Sequence, residues 1–180
     1  SSSDRVLEPS CGEAAFLLSA AARLDELGTP RGQIAGQLEG VEIHAASAGA
    51  ALDRLNEVAF SASVKIGNFF DFRPSNLFDA VIGNPPYVRY QQFSGADRAK
   101  GLQVALAHGV RLTGLASSWA AFTVHAAQCL KPGGRLGLVL PAELLAVNYA
   151  AQVRRFLLRR FASVRLVVFD DLVFPGVLED

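Results

Sequence analysis

Residues 5–28 read RVLEPSCGEAAFLLSAAARLDELG, and this stretch decides the fold class. Its first apolar residues run into the turn residues Pro9 and Gly12, which indicates a short strand that ends in a tight turn. Apolar residues then recur at spacings of three and four, which predicts a helix over residues 13–27. Gly28, with a proline two positions later, ends that helix. The stretch therefore predicts a strand, a turn and a helix in direct succession.

The same succession repeats along the chain. Further strands are predicted at residues 38–43, 63–66, 78–82, 135–140 and 164–169, and further helices at residues 45–56, 118–130 and 143–161. Residues 88–115 are weakly periodic and glycine-rich, so we interpret them as a long mobile loop with at most one helix. Alternating strands and helices imply right-handed crossovers, which predicts a three-layer α/β fold with a mostly parallel sheet. Such sheets bind ligands at the carboxyl ends of their strands.

The composition is that of a globular protein. Of the 180 residues, 51% are apolar and 19% are charged, which excludes general disorder and suits one domain. No apolar run could span a membrane, and two cysteines give neither a disulfide framework nor a zinc motif, so we expect a cytoplasmic protein. Basic and acidic residues balance at 17 each, which gives no indication of nucleic acid. The chain has no methionine, and we interpret it as a fragment or an excised domain.

The turn at residues 8–13 is a candidate anion site, because backbone N–H groups at a helix start bind phosphates and carboxylates. The GxGxxG and GxxxxGK[ST] patterns are absent, which counts against NAD and ATP. Glu42 ends the second strand, where an acid either accepts two ribose hydroxyls or is simply solvated. Asn68 and Phe69 follow the third strand, and they either hold an adenine ring or form an Asx-turn.

Asn84-Pro85-Pro86-Tyr87, at the end of the fourth predicted strand, is the segment best suited to chemistry. Proline fixes φ near about −65°, lacks an N–H and forces the preceding residue into an extended conformation. The result is a stiff turn whose acceptors are the Asn84 side-chain oxygen and the Pro85 carbonyl. These acceptors suit an amino group conjugated to a ring or a carbonyl, because hydrogen bonds to both N–H bonds draw its lone pair toward an electrophile. Tyr87 supplies an adjacent ring for stacking a planar substrate.

Asn84-Pro85-Pro86-Tyr87 resembles the catalytic motif of S-adenosylmethionine-dependent amino-methyltransferases. Residues 6–17, VLEPSCGEAAFL, resemble the cofactor motif of the DNA adenine-N6 branch in bacterial restriction–modification systems. Lys131-Pro132-Gly133-Gly134 and Val173-Phe174-Pro175 are also similar to that branch, and the resemblance covers residues 5–176. It implies a Rossmann-like methyltransferase fold, S-adenosylmethionine as cofactor, and methyl transfer to N6 of a DNA adenine.

The resemblance also implies a role for each matching residue. The methionine end of the cofactor would be held by Glu8, Pro9, Ser10, Cys11, Gly12 and Phe16. Its ribose would bind Glu42 beside Ile43, and its adenine would bind Asn68 and Phe69. In the catalytic motif, Asn84 and Pro85 would bind the target amine. Tyr87 and Phe174 would sandwich a base flipped from the duplex, and Pro86 completes the motif.

Two residues depart from the family pattern. Ala14 stands where the family often has a second glycine. Asn68 stands where it usually has aspartate, which exchanges a charged acceptor for a neutral amide. Neither change removes a catalytic group, and both bear on cofactor affinity.

The order of the motifs resembles the gamma arrangement, because the cofactor motif precedes Asn84 by only about 70 residues. In that arrangement the target-recognition domain is C-terminal, which here means beyond Asp180, and the last antiparallel strand follows the Phe174 motif. By this analogy residues 1–180 are a catalytic domain truncated before that strand and trimmed of an N-terminal segment. Expected partners are double-stranded DNA, bound weakly by the fragment, and restriction-system subunits or fused domains; no membrane is expected.

Two alternatives remain open at this point. The Asn84 motif is shared with guanine-N2 RNA methyltransferases and glutamine-N5 protein methyltransferases. A non-catalytic module that holds the cofactor or DNA without turnover is the other alternative. The predicted loop also carries basic residues that either contact DNA or are solvated: Arg89, Arg98, Lys100 and Arg111. The three histidines share no ligand spacing, so no metal site is predicted.

Overall fold

The computed structural model describes residues 1–169, which form one sheet flanked by helices. The strands are β1 (Val6–Pro9), β2 (Leu38–Glu42), β3 (Ser63–Ile66), β4 (Phe78–Gly83) and β5 (Leu130–Leu138). The helices are α1 (Ala15–Glu26), α2 (Arg31–Ile34), α3 (Ala45–Glu57), α4 (Gly95–Ala107), α5 (Ser118–Gln128), α6 (Glu143–Ala146) and α7 (Ala150–Arg160). None of these helices is long and apolar enough to cross a membrane.

All pairings among the five strands are parallel, and the order is β3-β2-β1-β4-β5. The chain adds strands on one side of β1 as far as β3, then returns and adds β4 and β5 on the other side. The strand order therefore reverses between β1 and β4, where a parallel α/β sheet opens a crevice. The predicted Rossmann-like α/β architecture is confirmed.

Strand β1 is buried on both faces, because successive side chains of a strand point to opposite sides of the sheet. Val6 packs among aliphatic residues such as Leu17 and Leu38 on one side. Leu7 packs into an aromatic cluster on the other side, which includes Phe78 and Phe122. A helix on each side of β1 thus fixes the position of the loop that follows it.

Three predicted elements differ from the structure in extent. The glycine-rich stretch 88–115 contains the 13-residue helix α4, packed against α5. The predicted helix over residues 143–161 is two helices, because Val147 has extended backbone angles of −87° and 148°. Strand β5 begins at Leu130, five residues before the predicted start, and it reaches its main register with β4 only after an irregularity between Phe78 and Ala80.

The predicted sixth strand, residues 164–169, was wrong: this segment pairs with no strand in the described part of the chain. Its apolar side chains are exposed, among them Val167 at 72% and Phe169 at 64%. An apolar pattern alone does not make a strand, because a strand also needs a neighbour that completes its hydrogen bonds. Phe174, a predicted site residue, lies outside the described residues.

Candidate active site

The loop between β1 and α1 has left-handed backbone at alternate residues. Ser10, Gly12 and Ala14 have φ values of 60°, 51° and 65°. This conformation costs a residue other than glycine about 1–2 kcal/mol. Ala14 therefore occupies a position where glycine is the natural choice, but its methyl group is fully buried in the α1 side of the core, which offsets part of that cost.

Two buried carboxylates hold this loop against the strands. Glu8, at the end of β1, accepts the Leu17 N–H at 2.7 Å, and burial raises the pKa of Glu8 to about 8. Glu42, at the end of β2, accepts the Gly12 N–H through one oxygen and the His44 N–H through the other, both at 2.9 Å. Carboxylate oxygens have further lone pairs, so both groups can still accept a hydrogen bond from a ligand.

The end of β4 lies directly beside this loop. A Cβ atom placed on Gly83 would be 3.4 Å from the Pro9 carbonyl oxygen and 3.6 Å from Cγ of Glu8. The turn that starts at Asn84 and the loop that starts at Pro9 therefore share the same crevice, between β1 and β4.

The Asn84–Tyr87 turn holds its asparagine through the tyrosine hydroxyl. Tyr87 donates to Asn84 Oδ1 at 2.6 Å, and its hydroxyl oxygen is also 2.9 Å from the Val139 carbonyl. Since a phenol has one proton, that proton can serve either acceptor. Burial of the hydroxyl end raises the pKa of Tyr87 to about 12, while the residue as a whole stays 42% exposed. The ring is therefore available to stack on a planar ligand.

A side chain that the sequence analysis missed fixes the other end of the turn. Ser118, the first residue of α5, is 3% exposed. Its hydroxyl donates to the Pro86 carbonyl and accepts the Val88 N–H at 2.9 Å, while its own N–H donates to the Val88 carbonyl at 3.0 Å. Residue 118 was predicted only as the start of a helix, because in the sequence a serine that bonds a distant loop looks the same as one that caps its own helix.

A cavity of about 280 Å³ opens beside both segments. Its apolar walls come from β2, from α5 and from the segments that follow β2, β3 and β4; they comprise Val41, Ile43, Phe69, Phe70, Pro86, Val88, Phe93 and Phe122. Its polar lining comprises Ser10, His44, Asn68, Gln92, Ser94, Asp97 and Ser118. An apolar slot with a few polar groups at its rim suits a flat heteroaromatic ring.

The structure brings together most of the predicted site residues, at three depths. The cavity itself is lined by Ser10, Ile43, Asn68, Phe69 and Pro86. Buried behind the loop are Glu8, Pro9, Cys11 and Glu42, and partly buried beside it are Gly12 and Phe16. Pro85 is buried at the start of the turn, between Asn84 and Pro86.

Cys11 faces the core rather than the cavity. A Cβ atom on Gly40 would lie 2.9 Å from its Sγ. Burial raises the pKa of this thiol to about 12, so it stays protonated and is a packing group. Within residues 1–169, no group of three or more histidine, cysteine or acidic side chains is placed to hold a metal ion.

Two solved structures illustrate the likeness in fold. One is a putative class I S-adenosylmethionine-dependent methyltransferase from Listeria monocytogenes, with a TM-score of 0.69 and 19% identity over 87% of this chain and 45% of that one. Another is the modification subunit of a putative type I restriction enzyme from Vibrio vulnificus, with a TM-score of 0.64 and 17% identity over 87% of this chain and 34% of that one. At these identities the likeness concerns the fold.

Sequence relatives are more specific. The type II methyltransferase M.BanIII of Aneurinibacillus aneurinilyticus is 31% identical over 97% of this chain and 31% of its own length. M.XamI of Xanthomonas campestris pv. amaranthicola is 26% identical over 96% of this chain and 32% of its own length. The chain thus spans about a third of these relatives. The profile of the Eco57I restriction-modification methylases matches residues 44–174, and the chain belongs to that family.

Proposed function

We propose that this chain is the catalytic part of a restriction–modification enzyme that transfers a methyl group from S-adenosylmethionine to N6 of an adenine in DNA. One observation carries the proposal. The acceptor turn at Asn84 lies against the loop after β1, and both contribute residues to a cavity with aromatic walls. Acceptors for an amine, the acidic side chains beside the β1 loop and an aromatic cavity are therefore contiguous.

The residues present fit this cofactor. Glu8, which keeps its proton below about pH 8, offers the carbonyl oxygen of its buried carboxyl group to an ammonium group, and Glu42 offers lone pairs to ribose hydroxyls. The Phe69 side of the cavity is apolar and takes the adenine ring. When bound, the cofactor supplies an electrophilic methyl group. The role of these residues is to bind and orient it next to the Asn84 turn.

The Asn84 turn binds the target amine through two acceptors, the side-chain oxygen of Asn84 and the carbonyl of Pro85. The first is occupied by the Tyr87 proton, which must turn to the Val139 carbonyl to release it. Asn84 and Pro85 then accept the two N–H bonds of the amine and draw its lone pair out of conjugation. No ionisable base is needed before attack: as the new N–C bond forms, the methyl–sulfur bond of the cofactor would break, and the methylated nitrogen would then release a proton to solvent. The rate comes from positioning and electrostatics. The exposed ring of Tyr87 stacks on the base.

DNA is the proposed substrate because the matched family and both relatives are restriction-modification or type II methyltransferases. A recognition domain and restriction subunits are the proposed partners in the whole protein, which we place in the cytoplasm. Adenine N6 is favoured by the loop at residues 6–17, whose pattern resembles that branch. Guanine in RNA and glutamine in protein share the Asn84 turn and are the competing substrates.

The test is methyl transfer by the full chain and its Asn84→Ala variant, with Asn56→Ala on the exposed end of α3 as the matched control. Removing one positioned hydrogen-bond partner of a reacting group costs about 10²- to 10³-fold in rate. We therefore expect Asn84→Ala to lose transfer by at least that factor and to keep cofactor affinity, while Asn56→Ala stays at the wild-type level.

Tritium transfer gives the rate, calorimetry gives cofactor affinity, and mass spectrometry of the product identifies the methylated group. N6-methyladenine is the expected product. Methylated guanine or glutamine would replace the substrate assignment. Cofactor binding without transfer by wild type would instead support a non-catalytic module, and full activity of Asn84→Ala would refute the role of the turn.

A further inference from the structure

Asn68 lines the cavity, but its amide is held by the protein. Its Oδ1 accepts the Phe70 N–H at 2.8 Å and so caps the short 3₁₀ turn Phe69–Asp71. Its Nδ2 donates to Oδ1 of Asp97 at 2.7 Å. The oxygen of Asn68 is therefore bound to the backbone, and its amide nitrogen is bound to the Asp97 carboxylate.

Asp97 brings a negative charge to this rim of the cavity. It lies in the first turn of α4, where the helix dipole favours an acidic side chain. Within residues 1–169 it forms no ion pair, and one of its oxygens has no protein partner. The nearby cations are engaged elsewhere: Lys100 pairs with Asp71, and Arg98 donates to the Gly114 carbonyl. The charge of Asp97 is thus left for a ligand.

The walls around this carboxylate are aromatic. Phe69, Phe93 and Phe122 line the same cavity, and Phe69 lies 4.6 Å from Phe122 between ring centroids. Phe69 and Phe122 thus form one continuous wall, and a planar ligand that packs against it can direct an amine toward Asp97, which lines the same cavity. An exocyclic amine there needs an acceptor, and a charged acceptor makes a stronger hydrogen bond than a neutral amide.

We propose that Asp97 accepts the exocyclic amine of the cofactor's purine and determines the preference for an amino purine, with Asn68 as its positioning residue. The inference rests on the proposed function, since it assigns the rim of the same cofactor cavity. Aspartate on α4 thereby supplies the charge that residue 68 lacks.

Calorimetric titration with two ligands tests the proposal: S-adenosylhomocysteine and S-inosylhomocysteine, in which a carbonyl oxygen replaces the amine. A hydrogen bond to a charged group contributes about 1.5–3 kcal/mol, which is about 10- to 100-fold in affinity. We expect wild type to prefer the adenosyl ligand by at least this factor, since a carbonyl oxygen repels the carboxylate. Asp97→Ala should lose the preference by weakening the adenosyl complex.

Two further variants separate recognition from folding. Asp53→Asn removes an exposed charge of α3 that forms no ion pair among residues 1–169 and lies outside the cavity lining, and it should leave the preference unchanged. Asn68→Asp alone places two carboxylates at hydrogen-bond distance and should weaken both complexes. The exchanged pair Asn68→Asp with Asp97→Asn retains one carboxylate and one amide, and it should recover at least part of the preference.

The outcomes distinguish this inference from the proposed function. If wild type binds neither ligand, the proposed function fails and the inference fails with it. If wild type binds and prefers the adenosyl ligand, but Asp97→Ala keeps that preference, the proposed function stands and Asp97 has no role in it. Loss of the preference in Asp53→Asn as well would reduce the effect to general electrostatics and overturn the proposal.

Discussion

Replacing Ser118 with alanine tests whether α5 positions the Asn84 turn. The substitution removes one hydroxyl and leaves the Val88 N–H and the Pro86 carbonyl unpaired. A net contribution of about 0.5–1.5 kcal/mol per hydrogen bond predicts a loss of about 1–3 kcal/mol in the free energy of unfolding. The backbone bond from the Ser118 N–H to the Val88 carbonyl remains, so we expect the turn to loosen and not to detach.

The loosening should appear in kcat more than in cofactor binding. If half of the lost energy held the Asn84 oxygen in place, kcat falls by about 3- to 10-fold, since 1.4 kcal/mol is tenfold in rate. Thr123→Val is the control, because it removes another buried α5 hydroxyl, one that bonds only the Trp119 carbonyl in the same helix. Urea unfolding and steady-state kinetics are the measurements. An unchanged kcat in a destabilised Ser118→Ala would refute the positioning role, and so would an equal loss of kcat in Thr123→Val.

Three other substitutions give quantitative expectations. Glu8→Gln should flatten the fall in the free energy of unfolding between pH 5 and 8, because burial raises the pKa of Glu8 to about 8 and the native state keeps a proton that the unfolded chain has released. Gly40→Ala should cost about 1–3 kcal/mol in urea unfolding, because its Cβ would lie 2.9 Å from Cys11 Sγ, and adding Cys11→Ala should recover part of this loss. Tyr87→Phe should lower kcat by about 3- to 10-fold and leave KM for DNA nearly unchanged, since it removes the hydrogen bond to the Val139 carbonyl that holds the turn while Asn84 binds the amine, and it keeps the ring.

The pH prediction needs the difference between wild type and Glu8→Gln at each pH. Burial, together with the charge of Arg73, lowers the pKa of His125 to about 4. The contribution of His125 to the free energy of unfolding is therefore lost as pH falls from 6.5 toward 4. This slope has the opposite sign to that of Glu8 and is common to both proteins. A difference that stays constant from pH 5 to 8 would contradict the expectation.

The other two predictions also have clear contradictions. If Gly40→Ala unfolded at the same urea concentration as wild type, the Cys11 side chain would be free to move. The loop between β1 and α1 would then not be packed tightly on β2. If Tyr87→Phe were as inactive as Asn84→Ala, the phenol proton would have a part in the reaction beyond holding the Asn84 turn in place.

The parallel sheet could be predicted because its strands are apolar runs closed by turn residues. Strand β3 has the predicted bounds, and β2 and β4 differ by one residue. Helix α4 could not, because its glycine-rich sequence shows no apolar stripe. It is stabilised by tertiary contact, since Gly101 lets it approach α5 so closely that a Cβ there would lie 3.2 Å from Ala121.

The site divides in the same way. Glu8, Glu42 and the Asn84 turn could be predicted as candidates because each lies at the carboxyl end of a strand, at one edge of the sheet. Asp97 and Ser118 could not, since their roles depend on partners 29 and 32 residues away in the chain. No local pattern records which distant loop a helix start will contact.

Helix α5 serves both halves of the crevice, and this limits how they can change. Ser118 holds the Asn84 turn, and Phe122, one helical turn later, lines the cavity. Residues 118–127 of this helix are all buried, so we expect the helix to move only as a rigid body. A change in the packing beneath α5 would therefore shift the proposed amine site and the proposed cofactor cavity together. Substitutions in the surrounding loops can alter one of the two sites without changing the other.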